Sequence, residues 1–193
     1  MDKLAMQLAM KRSFQPFKDL GWSISKKLRK AVSKIFALHV IEAEGILAAK
    51  LHRGDKVYDF GVVSRAKVTT EFVNYLVDIL QTDATTIGDF KYQISGTGVG
   101  TESNTDVSLG TAIGTARTTG TQVEGASANI YRSVATISYT AGAAVTEHAI
   151  FNAAYASGQD DGILLDRSVF AAINVVSGDS IEFTYELTVN AEA

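Results

Sequence analysis

Ten residues close to the carboxyl end place the tightest constraint on the fold. From Ser180 to Val189, apolar and polar side chains alternate without a break. Ile181, Phe183, Tyr185, Leu187 and Val189 share one side, and Glu182, Thr184, Glu186 and Thr188 share the other. A period of two describes a strand with one dry face and one wet face. A sheet built of such strands needs a second apolar layer to cover its dry face. Further strand candidates are 56–63, 89–95, 130–139, 145–151, 162–165 and 168–175, each bounded by small or polar residues. Ser177-Gly178-Asp179 is a turn signal between the last two strands. A single stretch breaks the pattern. Phe72, Tyr75, Leu76, Ile79 and Leu80 fall at helical spacing, with Thr69 or Thr70 as cap and Glu71 in the first turn. The expected fold is mainly β: an antiparallel β-sandwich or jelly roll with one internal helix and an N-terminal helical arm.

The arm follows from charge. The net charge of −3 hides a division between a basic and an acidic part. Residues 1–40 hold nine Lys/Arg and two acids, and the rest of the chain holds nine Lys/Arg and nineteen acids. Fifteen of the sixteen glycines also lie after position 40, so a basic, helix-prone segment precedes an acidic, turn-rich one. The boundary is placed between an arm, 1–41, and a body, 42–193. In the arm, Ile24, Leu28, Ala31, Val32, Ile35 and Phe36 form an apolar stripe at spacings of three and four. Ser23 or Ser25 can cap this helix. Lys26, Lys27, Arg29, Lys30 and Lys34 fill much of the remaining surface. Such a helix fits an acidic protein partner, nucleic acid, an anionic membrane, or the acidic body itself with its lysines solvated. Without interleaved aromatics, and with an acidic remainder, neither a nucleic-acid nor a membrane partner is expected. Lys27, Lys30 and Lys34, on one helical sector, are the expected partner-binding residues.

Other candidate sites have plain structural readings. The chain has no Cys, which excludes disulfides, zinc ribbons, iron–sulfur ligation and thiol catalysis. His39, His52 and His148 lack ligand spacing, and in a strand Glu147 and His148 point to opposite faces. No G-x-S-x-G elbow occurs, so no catalytic residue, metal or cofactor is expected. Gly96-Thr97-Gly98-Val99-Gly100 lacks both the dinucleotide fingerprint and a P-loop ending, and reads as a flexible turn. Residues 96–125, with seven Gly, eight Thr and no aromatic, read as a long surface loop or irregular edge. Arg53-Gly54-Asp55 is a hairpin turn rather than an adhesion motif. No run reaches 18 apolar residues, and Leu4–Met10 is too short and too polar for a secretory leader, so neither a span nor a leader is expected.

Several stretches of the body resemble small virion structural proteins of tailed bacteriophages. They include 59–65 (DFGVVSR), 72–78 (FVNYLVD), 119–132 (TGTQVEGASANIYR), 146–151 (TEHAIF), 164–170 (LLDRSVF) and 176–181 (VSGDSI). The resemblance spans roughly residues 56–190 and omits the arm. It implies a non-enzymatic capsid decoration (cement) protein of jelly-roll type. It also implies a homotrimer that binds the major capsid protein on the capsid exterior of the virion. The alternative is a tail- or head-fibre component that binds a host receptor or carbohydrate. Against a lectin, the long loop offers no aromatic platform.

Overall fold

The computed structural model describes residues 42–65, 67–81, 89–154 and 161–190. The described residues belong to a single compact unit, two five-stranded antiparallel sheets face to face. The arm, with Lys27, Lys30 and Lys34, lies outside the described residues. In chain order the elements are β1 (Glu42–Arg53), β2 (Lys56–Ser64), β3 (Lys67–Val68) and the helix α1 (Thr70–Gln81). They are followed by β4 (Tyr92–Gly96), β5 (Thr118–Thr119), β6 (Thr121–Glu124) and β7 (Ile130–Ser138). The last three are β8 (Ala143–Phe151), β9 (Leu164–Val175) and β10 (Ser180–Asn190). The first sheet runs β2-β1-β10-β7-β6 and the second β3-β9-β8-β4-β5.

β10 sits at the centre of the first sheet, which is why its pattern is so clean. Ile181, Phe183, Tyr185 and Leu187 are buried between the sheets, with Leu47, Ala49 and Leu51 of β1 beside them. From the second sheet come Val145, Ile150, Leu165, Phe170, Ile173 and Val175. Val189, expected on the dry face, is 40% exposed because the strand there reaches the sandwich rim. The wet face of this sheet carries cross-strand ion pairs, Lys50 with Glu182 and Arg132 with Glu186. Lys50 is directly opposite Glu182, and Arg132 directly opposite Glu186, the register at which such pairs meet.

Three expectations need correction. The segments 162–165 and 168–175 are one continuous strand, because Asp166, Arg167 and Ser168 are all buried within β9. The segment 89–95 pairs only from Tyr92 onward. β1 was not expected as a strand. Its inward positions include Gly45 and Ala49, which lack the bulk of strand formers. A Cβ at Gly45 would lie 2.7 Å from Asp166 Oδ2 and 2.8 Å from the Tyr185 hydroxyl, so no larger residue fits.

The hairpin turn expected at Arg53-Gly54-Asp55 is present, with Gly54 at φ +54°. The Arg53 guanidinium is held by Asp179, Nε donating at 2.9 Å and Nη2 at 2.6 Å to Oδ2. The carboxylate also accepts from the Val176 amide, and the Arg53 bond holds its pKa below the usual range. The tripeptide arginine therefore ties two turns together.

α1 begins where expected. Thr69 is the cap: its Oγ1 accepts from the Phe72 amide at 3.2 Å and donates to the Leu164 carbonyl. Phe72 and Tyr75 pack edge-on against Phe90, at centroid distances of 5.1 and 5.5 Å. Because the cap hydroxyl also bonds β9, Thr69→Ala should cost about 1–2 kcal/mol, and Thr69→Ser should restore most of it. Equal urea midpoints for the alanine variant and wild type would contradict this role.

Candidate interaction surface and the polar groups beneath it

The middle of the second sheet, Val145–Phe151 of β8 and Leu164–Ser168 of β9, is buried on both faces, and this accounts for the glycine-rich segment. On the outer face, residues 97–117 fold back over β4, β8 and β9. Leu109 from this segment joins Ile94, Ala149, Phe151 and Leu164 in a small second core. Glu147 holds the segment in place from below. Its Oε1 accepts from the amides of Gly98 (2.8 Å) and Thr111 (2.7 Å). Its Oε2 accepts from the Gly110 amide (2.9 Å) and from Arg167 Nε (3.0 Å) and Nη2 (2.8 Å). Arg167 Nη1 continues to Asp106 Oδ2 at 2.9 Å.

The charge of Glu147 is thus fully matched. Burial would raise its carboxyl, but the amides of Thr111, Gly110 and Gly98 and the Arg167 guanidinium outweigh that and hold it below the usual carboxylate range. The flexible-turn reading of 96–100 is corrected here. A Cβ at Gly98 would meet Glu147 Oε1 at 2.4 Å, and one at Gly96 would meet the Thr111 carbonyl at 2.4 Å. The spacing of the glycines records the close approach of a buried carboxylate. The clue in the sequence was a Glu within the strand AAVTEHAIF, where Thr146-Glu147-His148 interrupts an apolar run.

His148, on the opposite face of β8 as its spacing requires, lies in the main core against Phe183, with centroids 4.6 Å apart. Its Nε2 is 2.9 Å from Gln93 Oε1, and Gln93 Nε2 donates to Ser133 Oγ at 2.9 Å. This chain crosses from one sheet to the other. Burial lowers the imidazole pKa to about 3, so the ring is neutral and Nε2 is the donor. Nδ1 has no hydrogen-bond partner.

A second polar bridge joins the sheets. The Tyr185 hydroxyl donates to Asp166 Oδ2 at 3.3 Å, and Ser168 Oγ donates to Oδ1 at 3.0 Å. Burial, with Glu102 adding to it, pushes the Asp166 carboxyl well above its usual range against the two hydrogen bonds. Burial and the neighbouring Asp166 push the Tyr185 phenol well up. A third contact pairs Ser95 Oγ with the Tyr139 hydroxyl at 2.9 Å.

Of these groups, Tyr139 reaches a pocket, and Glu147, Arg167, His148, Asp166 and Tyr185 are not among the residues that line it. The pocket, of about 500 Å³, lies between residues 113–118 and 136–143, lined by small and hydroxyl side chains such as Thr115, Thr136 and Ser138. Its lining contains no carboxylate, histidine, lysine or arginine. Among the described residues, no group of three or more His, Asp or Glu is placed to hold a metal, and no helix is long and apolar enough to cross a membrane.

Two groups of apolar side chains also face outward. On α1, Val73, Leu76, Val77 and Leu80 are 42–85% exposed and fall at i, i+3, i+4 and i+7. The helix thus has two apolar sides, one on Phe90 and one bare. On the edge strand β2, Val57, Tyr58, Phe60 and Val62 are 44–56% exposed. Leu76 and Leu80, expected to share the buried stripe of Phe72 and Tyr75, belong to the outer one. Helical spacing alone does not separate the two stripes. Comparison with family models, with curated proteins and with solved structures finds no match.

Proposed function

We propose that this chain is a non-enzymatic structural protein of a tailed-phage virion, a capsid decoration protein that stabilises the major capsid lattice as a homo-oligomer. The observation that carries the reading is where the chain uses its polar and apolar groups. Glu147, Arg167, His148 and Asp166 are consumed inside the sandwich, whereas two apolar rows face outward. Exposed rows of this kind on a well-packed domain mark surfaces for other proteins. The resemblance of residues 56–190 to phage virion proteins supplies the setting. A sandwich with its long loop tied down by a buried ion pair is suited to a permanent lattice position.

In this reading the basic arm meets acidic surface on the shell or on a neighbouring subunit. Many weak contacts repeated over a closed array act together, so modest single-site affinity suffices. The test is occupancy on purified shells. Lys27→Glu, Lys30→Glu and Lys34→Glu together should reduce occupancy several-fold at low salt, each exposed pair contributing about 0.2–1 kcal/mol. The deficit should shrink as salt rises, because exposed pairs are screened beyond about 10 Å at 0.1 M. Unchanged occupancy at low salt would leave the lysines as a solvated face. Density for the chain on the tail or a fibre, in reconstructed virions, would replace the capsid reading with the fibre one.

A further inference from the structure

The polar chain that crosses between the sheets holds the parts of a condensation. Ser133 of β7, Gln93 of β4 and His148 of β8 are fully buried. Gln93 Nε2 is 2.9 Å from Ser133 Oγ, so the amide carbon is one bond from the atom that the hydroxyl already touches. On its other side, Gln93 Oε1 is 2.9 Å from His148 Nε2. Strands from both sheets thus bring together a nucleophile, a carbonyl and a donor for the carbonyl oxygen. The imidazole packs on Phe183, in apolar surroundings where such a donor acts most strongly. His148 Nδ1 is buried without a partner. A bridge kept only for its hydrogen bonds has no need of an unmatched polar atom in the core, which costs stability.

We propose that Ser133 and Gln93 condense to an ester that joins β7 to β4 covalently, with His148 as the catalytic donor. The geometry described is that of the reactants. Ser133 Oγ bonds to Gln93 Cδ, the Cδ–Nε2 bond breaks, the hydroxyl proton passes to the departing nitrogen, and ammonia leaves. Negative charge gathers on Oε1 in the tetrahedral intermediate, and the His148 Nε2 proton already faces that oxygen. Burial keeps the imidazole neutral, with the proton on Nε2 and Nδ1 bare. The product keeps Oε1 as the acceptor for His148. The two amide hydrogens and the hydroxyl hydrogen leave the core as ammonia, so fewer buried donors need partners. Burial also shields the ester from hydrolysis. The bond closes a ring from Gln93 to Ser133 and ties one sheet to the other. It is a property of the sandwich and does not depend on a virion role.

The intact mass of the full-length chain, followed from its synthesis, tests this. Folded wild type should lose one ammonia, about 17 Da, from its sequence mass. Trypsin should then release residues 92–117 and 133–167 as one joined product, since Lys91, Arg117, Arg132 and Arg167 bound those peptides. Dilute alkali should separate the two, because it cleaves an ester and spares an amide. Ser133→Ala should keep its sequence mass. His148→Leu should slow the loss by about a hundredfold or more, and His148→Gln, which retains a donor, should restore most of the rate. Wild type with a strand-rich circular dichroism spectrum and an unchanged sequence mass would overturn the proposal and leave a hydrogen-bonded bridge only. A loss of the same mass that maps to other residues, or that persists in Ser133→Ala, would overturn it as well. Linkage at the wild-type rate in the leucine variant would overturn the role of His148.

Discussion

Glu147→Gln should lower the thermal midpoint by roughly 6–20 °C, the largest effect expected of any single substitution here. The carboxylate accepts five hydrogen bonds, three from backbone amides and two from Arg167. Glutamine keeps one oxygen and replaces the other with a donor. That donor would face Arg167 or the amides of Gly98, Gly110 and Thr111, and buried donors would be left unpaired. Breaking a buried ion pair by removing one partner costs about 3–5 kcal/mol, against a total stability of about 5–15 kcal/mol. The damage should be local at first. Amide exchange at Gly98, Gly110 and Thr111 should accelerate together, before the sandwich unfolds. Wild-type protection at these three amides in the Gln variant would show that the loop is held by something else. The folded carboxyl titrates below its ordinary value, so its stabilisation is complete above the ordinary carboxylate range and is lost as pH falls through the lowered one.

The second large effect is a pH slope hidden by cancellation. His148 has its pKa lowered to about 3. Below about pH 6.5 only the unfolded chain takes up that proton, so stability falls with acid by about 1.4 kcal/mol per pH unit until the folded ring also titrates. Asp166 is displaced the other way by burial. Below its unfolded value both states are protonated; above it only the unfolded chain ionises, and stability falls as pH rises. The two slopes oppose one another above the ordinary carboxylate range, for as long as the folded Asp166 stays protonated while the unfolded imidazole takes up its proton. Wild type should therefore be nearly flat in urea midpoint over that window.

Each single variant should tilt the profile. Asp166→Asn keeps an acceptor for Tyr185 and removes the ionisation. It should stabilise by about 1–3 kcal/mol near pH 7, change little near pH 3.5, and expose the steep acid decline due to His148. His148→Gln retains a donor for Gln93 and should leave a profile that falls with rising pH instead. Parallel profiles for wild type and both variants would mean that neither group is buried as described.

The residues whose environment is local were readable from the chain. β10 alternates because one face meets the core and the other water. The turn at Arg53-Gly54-Asp55 and the start of α1 depend on dihedrals and hydrogen bonds within a few residues. β1 was not readable, since Gly45 is required by Asp166 and Tyr185, which are 121 and 140 positions away along the chain. β9 looked broken at Asp166-Arg167-Ser168 because three polar residues in a row suggest solvent. The fold instead gives Asp166 the Tyr185 hydroxyl from β10 and Arg167 the carboxylates of Glu147 and Asp106, while Ser168 bonds Asp166 within the strand.

The same division runs through the candidate surfaces. Sequence by itself determined that the body is a half-polar, antiparallel assembly of strands with one helix, because periodicity reports which neighbours a side chain has one or two turns, or one pleat, away. Tertiary structure alone decided that the glycine-rich segment is anchored, because its anchor, Glu147, lies across a sheet. It also decided which of α1's two apolar stripes is buried. Phe72 and Tyr75 face Phe90 while Leu76 and Leu80 face outward, and a helix that is apolar on two sides carries no internal sign of which side the core will take.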